Sequence, residues 1–173
     1  MELTVRDATP DDAAGIAAVH TRTWQQAYAH IFPAERLAWI DEQRRVYWWA
    51  RWLSEKQPDT HILVADGPGG IVGFAAFGPA RDEAETLGEL YSIYVLPDEA
   101  GRGIGRALMA EGLRRLREDG VEEAILWVLE DNPRTHRFYE AAGWRADGGV
   151  KDETMLETPV RELRYRISLR PSR

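Results

Sequence analysis

The residues best suited to chemistry lie in one run. Val95-Leu96-Pro97 is followed by Asp98-Glu99-Ala100, then Gly101-Arg102-Gly103-Ile104-Gly105, then Arg106-Ala107-Leu108. The pattern predicts a strand stopped by proline, a glycine-rich turn and the start of a helix. The first amides of a helix have no partner in the helix, and they point outward from the positive end of its dipole. Glycine lets a ligand approach the backbone closely, and phosphate suits such a place. Arg102 and Arg106 add positive charge. A P-loop needs Gly-x-x-x-x-Gly-Lys-Ser/Thr, and no lysine follows here. A dinucleotide fingerprint needs Gly-x-Gly-x-x-Gly. The third position falls on Arg106 when counted from Gly101 and on Leu108 when counted from Gly103, so both readings fail. A tight turn without a ligand is the alternative.

Further along, the chain reads Asn132-Pro133-Arg134-Thr135-His136-Arg137-Phe138-Tyr139-Glu140-Ala141-Ala142-Gly143-Trp144. Together with the glycine run this resembles the GCN5-related N-acetyltransferase (GNAT) family. That family's pyrophosphate loop is Gln/Arg-x-x-Gly-x-Gly/Ala, and its second motif is Asn-x-x-Ala-x-x-Phe-Tyr-x-x-x-Gly-Phe. Ala100 departs from the first pattern, and Thr135 and Trp144 depart mildly from the second. Glu89 to Pro97 resembles the family's central strand, and Val5 to Asp12 resembles its N-terminus. The resemblance covers nearly all of the chain.

The resemblance implies acetyl-CoA as co-substrate. Its pantetheine arm would lie along Ile93-Tyr94-Val95, where the central strand splays from its neighbour, with the Val95 N–H polarising the thioester carbonyl. The pyrophosphate would sit over Gly101, Arg102, Gly103, Ile104, Gly105, Arg106 and Ala107. Asn132 would hydrogen-bond the pantetheine arm, or cap the helix that begins at Pro133. Tyr139 would be the general acid: a thiolate with a pKa of roughly 8.5 can take a proton from a tyrosine near 10. Core packing beside Phe138 is the other reading of that ring.

An alkyl amine, by analogy with lysine at roughly 10.4, must lose a proton before it attacks, so a base is useful. Glu89 is the candidate. Strict alternation puts it on one face with Tyr91, Ile93 and Val95, and a structural ion pair with a loop cation is its other reading. On the acceptor side, Trp24 and Tyr28 are four apart on one helix face. With Phe32, they are expected to contact the substrate. Trp39 falls in the same region, whereas Trp48, Trp49 and Trp52 read as helix packing. His20, His30, His61 and His136 are scattered, so no metal site is expected.

These residues need elements to hold them. The pattern predicts a strand at 3–6, a helix opening at Thr9-Pro10 and carried by Ile16, Val19, Thr23 and Ala27, and a broken helical stretch from Pro33 to Leu53. Strands follow at 61–65 and 71–77 around Gly67-Pro68-Gly69-Gly70, then a charged loop at 81–85. A strand at 87–96, a helix at 103–119, a strand at 124–129 and a helix at 133–142 ended by Gly143 come next. A short strand from Trp144, a loop and a last strand at 161–169 close the chain. This order implies an α/β (α+β) fold like that of the GNAT family. Its mixed, mostly antiparallel central sheet would hold a splayed parallel pair and carry helices on both faces.

Bulk properties set the frame. The 173 residues are expected to form a single domain over 1–173, with 44% hydrophobic residues and a net charge of −7. That charge argues against nucleic acid and suits a cationic acceptor by long-range steering. The chain has no cysteine, which removes thiolate catalysis and disulfides. No stretch reads as a leader or a membrane span, so a cytoplasmic protein acting alone or as a homodimer is expected. The function implied is acetyl transfer to a primary amine of a small, cationic molecule in a ternary complex. Polyamines, aminoglycosides, amino acids, small toxic amines and protein N-termini all remain open as acceptors. A non-catalytic acyl-CoA sensor and a different nucleotide-binding protein are the alternatives.

Overall fold

A computed structural model describes residues 2–81 and 86–171. β1 (Thr4–Asp7) leads through a turn at Pro10–Asp12 into α1 (Ala13–Ala27). The helical stretch after Pro33 divides into α2 (Ala34–Leu37) and α3 (Glu42–Glu55). Asp41 makes the break. Its carboxylate accepts the amides of Gln43 at 2.9 Å and Arg44 at 3.2 Å, capping α3. β2 (His61–Gly67) and β3 (Gly70–Pro79) form the expected hairpin. Of the predicted loop at 81–85, residues 82–85 lie outside the described residues. β4 (Leu87–Val95), α4 (Ile104–Glu118), β5 (Glu123–Leu129) and α5 (Pro133–Ala141) follow.

The seven-stranded sheet has the order β1-β2-β3-β4-β5-β7-β6, and β4–β5 is its parallel pair. On one face, α4 and α5 cover Leu63, Phe77, Leu90 and Leu126, with Leu108, Leu113 and Leu116 turned inward as their spacing predicts. On the other face, α1 and α3 bring Ile16, Val19, Trp49 and Leu53 onto Ile62, Val64 and Phe74. α4 lies very close to the sheet: a Cβ at Gly112 would come within 2.0 Å of the Phe77 ring. No helix among the described residues is long and apolar enough to cross a membrane.

The C-terminal region differs from its sequence reading. Instead of a short strand, a loop and a strand, β6 (Arg145–Met155) and β7 (Thr158–Ser168) form one long hairpin. Leu156 and Glu157 turn it with φ of 48° and 55°. A two-residue hairpin turn with both φ values positive normally uses asparagine or glycine, so this pair gave no turn signal. The hairpin tip has a task. Met155, Leu156 and Val160 pack with Phe32, Leu37 and Leu129, closing the end of the sheet where Trp24 and Tyr28 also lie.

Candidate active site

The glycine run forms an open cradle at the head of α4. Gly101 and Gly103 have φ of +79° and +80°, and a Cβ on either would meet no atom within 4 Å. Left-handed backbone favours glycine there, and the space above it is free for a ligand. Gly103 caps the helix. The Ala107 N–H donates to the Gly103 carbonyl at 3.0 Å, the first bond of the helix ladder. The amides of Ile104, Gly105 and Arg106 precede that bond and point out of the helix end. Ala107 has already spent its own amide, so only its exposed side chain could meet a ligand. Ile104 is buried and anchors the turn. Gly105 lies close under Phe138, whose ring would stand 3.2 Å from an added Cβ. Arg102 is paired with Glu99, and Arg106 is exposed.

Beside this cradle the sheet opens. β4 and β5 pair only through Leu87↔Glu123, Gly88↔Ala124 and Glu89↔Ile125. Beyond Glu89 the two strands part. The Leu96 N–H donates to the Val72 carbonyl at 2.9 Å, and the Tyr94 carbonyl also faces β3, 3.1 Å from an ideal Cβ on Gly73. Backbone groups alternate edges along a strand. The N–H groups of Ile93 and Val95 therefore point into the gap.

β4 also carries a bulge. Ala76 opposes Ser92 but Phe77 opposes Leu90, so Tyr91 is the extra residue. A bulge breaks alternation. Leu90, Ile93 and Val95 pack on the α4 side, whereas Tyr91 and Tyr94 pack on the α1–α3 side. Strict alternation had put Glu89 on one face with Tyr91, Ile93 and Val95; the bulge divides that set. Glu89 is buried, 2% exposed, at the last paired position. Its carboxylate accepts the Arg81 amide at 3.0 Å and an Arg81 guanidinium N–H at 2.6 Å.

Tyr139 on α5 is buried among Phe138, Trp144 and Tyr165. Burial holds its hydroxyl protonated well above the ordinary tyrosine range, and the neighbouring Tyr94 adds to this. Asn132, 7% exposed, stands at the N-cap position of α5, but its side chain makes no capping bond.

Across the gap, Trp24, Tyr28 and Phe32 form one aromatic cluster, with Trp24–Tyr28 centroids 4.7 Å apart and Trp24–Phe32 stacked at 5.7 Å. The Trp24 indole donates to the Tyr94 hydroxyl at 3.1 Å, and Tyr28 is hydrogen-bonded to Tyr94 as well. Burial raises the pKa of both tyrosines. Tyr94, placed by sequence with the pantetheine-contacting strand, has its side chain on the aromatic side. Trp39 is set apart, half-exposed beneath the Arg36 guanidinium. Trp49 packs in the core, and Trp48 is half-exposed.

The family model described as "Acetyltransferase (GNAT) family" matches residues 22–144. The chain belongs to the GNAT acetyltransferase family. It is 36% identical over 140 residues to N-acetyltransferase YuaI of Bacillus subtilis, covering 80% of this chain and 78% of that one. It is 33% identical to the mycothiol acetyltransferase of Nocardiopsis dassonvillei across 82% of this chain, and spans 43% of that longer enzyme. Its fold is shared with the PaiA N-acetyltransferase of Thermoplasma acidophilum, solved in complex with coenzyme A. The TM-score is 0.73 at 21% identity, covering 97% of this chain and 99% of that one.

Three residues of this candidate site escaped sequence reasoning. His20 stacks on Tyr94 at 5.3 Å and accepts the Trp49 indole N–H at 3.3 Å. Arg45 lies over Trp24, with its guanidinium carbon 5.6 Å from the ring centroid. Glu162 on β7 is buried, paired with Lys151 at 3.2 Å, and near enough to Tyr28 and Tyr94 to raise their pKa values. Burial brings the His20 pKa down to about 3, and Arg45 contributes. His20 is thus a neutral wall and a weak base.

A stability test follows from His20. Below an ordinary histidine pKa of about 6.5, the unfolded chain binds a proton that the folded chain refuses. The contribution of His20 is complete above about pH 6.5 and is lost as pH falls toward the folded value, at up to ~1.4 kcal/mol per pH unit. Urea midpoints measured through that window should fall with pH, and His20→Gln should flatten the slope.

Proposed function

We propose that residues 1–173 form one acetyl-CoA-dependent N-acetyltransferase domain acting on a primary amine of a small molecule, by direct attack in a ternary complex. The observation that carries this reading is the juxtaposition of the cradle and the gap. Free amides at residues 104–106 suit a pyrophosphate, and the inward amides of Ile93 and Val95 suit an extended amide-bearing arm and a thioester carbonyl. The side chain of Asn132, unused as a cap, is available to the same arm. The coenzyme supplies the activated acetyl group.

The protein's part is positioning and proton handling. The Val95 N–H holds the carbonyl oxygen as negative charge develops on it. Glu89 takes the proton lost by the amine, directly or through water. Tyr139, held protonated, gives its proton to the sulfur as the carbon–sulfur bond breaks. A carbon–nitrogen bond forms, and amide and free thiol leave. The aromatic cluster of Trp24, Tyr28 and Phe32 forms the acceptor wall. The net charge of −7 favours arrival of the protonated amine.

An acceptor screen with acetyl-CoA, read by thiol release and by the mass of the acetylated product, tests the reading. Thiol release only in the presence of an amine supports it. Tight coenzyme binding with no release across the panel supports a sensor instead. Glu89→Gln should lose rate chiefly at lower pH and recover as bulk deprotonation replaces the missing base. A profile parallel to the parent's would make the Glu89–Arg81 pair structural.

A further inference from the structure

Arg45 is a charge in the acceptor wall with no part in the proposed proton transfers. It projects from the first turns of α3, four residues before the core residue Trp49, into the group formed by His20, Trp24 and Tyr94. Its Nη1 is buried and has no hydrogen-bond partner among the described residues. No carboxylate among them pairs with it. Asp41, at the N-cap of α3, serves the α3 amides and Arg44, and Glu42 is exposed. Across the site, Glu162 is paired with Lys151. The groups facing Arg45 are a neutral imidazole, an indole face and a phenol. Burial lowers its pKa.

Arg45 is part-buried, and a guanidinium nitrogen buried without a partner is costly. Cation–π contact with Trp24 at 5.6 Å offsets only part of that cost. A guanidinium is also the side chain best shaped to take a carboxylate through two parallel hydrogen bonds. Its position adds direction. The guanidinium stands over Trp24, whose indole donates to the Tyr94 hydroxyl, so it lies at the aromatic wall proposed to face the acceptor.

We infer that Arg45 receives a carboxylate of the acceptor, so that the acceptor is an amino acid or a similar aminocarboxylate whose amine reaches the gap. This rests on the acetyltransferase reading and narrows it. The overall charge of −7 had favoured a cation, but the charge inside the site favours an acceptor that brings its own anion.

The test uses the free amino acids, their carboxamides and spermidine as acceptors, with acetyl-CoA and thiol release. The intact protein should prefer each accepted amino acid over its carboxamide by about thirtyfold to a hundredfold in kcat/KM, the usual size of a charge-assisted contact. Arg45→Gln should erase that preference mainly through KM on the amino acid, with acetyl-CoA affinity near the parent's. Because it removes an uncompensated charge, the variant should be no less stable than the parent. Equal use of acid and carboxamide, a preference for spermidine, or an equal loss on both in Arg45→Gln would overturn the inference. A second readout needs no turnover. Millimolar N-acetyl amino acids should raise the unfolding temperature of the parent and not of Arg45→Gln, and no rise in the parent also overturns the inference. If they stabilise the parent alone while no amine releases thiol, the carboxylate site stands and acetyl transfer is what fails.

Discussion

Gly103→Glu should weaken coenzyme A binding at least about a hundredfold, an effect of roughly 2.7 kcal/mol. Two causes combine. Gly103 has φ of +80°, where a side chain costs about 1–2 kcal/mol. The new carboxylate would also stand in the open space above residues 104–106, where we place the pyrophosphate. Gly103→Ala separates the two, since it carries the same backbone strain without the charge, and its methyl meets no atom within 4 Å. Calorimetry on both folded variants should find the alanine within about tenfold of the parent and the glutamate far weaker. Unchanged affinity in Gly103→Glu would remove the pyrophosphate from this loop.

Tyr139→Phe should lower kcat by about a hundredfold or more, the size expected for a lost general acid, while acetyl-CoA affinity stays near the parent's. The ring keeps its packing against Phe138, Trp144 and Tyr165, so stability should hold. Its hydroxyl stays protonated well above the ordinary tyrosine range, so it is in the donating form throughout neutral pH. The remaining rate should rise with donors whose leaving thiol needs less help, because a low-pKa thiolate departs without a proton. Thioesters of thiols with graded pKa values read this directly: a steeper dependence in Tyr139→Phe than in the parent marks proton donation. Equal slopes would leave Tyr139 as packing alone.

What the sequence made legible was local. Pro97 cannot continue the strand ladder, and Gly101 and Gly103 permit a left-handed turn, so the strand–cradle–helix unit could be read residue by residue. The leucines of α4 and the glycine after α5 were equally plain. Features set by tertiary partners were not. The extra residue at Tyr91 falls where β4 stops pairing with β5 while still pairing with β3, and nothing in Leu90-Tyr91-Ser92 announces it. The Leu156-Glu157 turn lacks the glycine or asparagine that would mark a hairpin. Arg45 reads in sequence as one of two adjacent surface arginines. Only the folding of α3 against α1 separates it from Arg44, which remains 89% exposed. Glu162 was hidden in the same way, as one charge among many on a strand whose register was unknown.

We propose that the coenzyme lies along one path, from the head of α4 into the gap between β4 and β5. A crystal structure of the protein with coenzyme A tests it most directly. Pyrophosphate oxygens should lie on the amides of residues 104–106, the pantetheine arm against the inward amides of Ile93 and Val95, and the thiol near the Tyr139 hydroxyl. Coenzyme density elsewhere on the molecule, with the cradle empty and the β4–β5 gap unfilled, would contradict it.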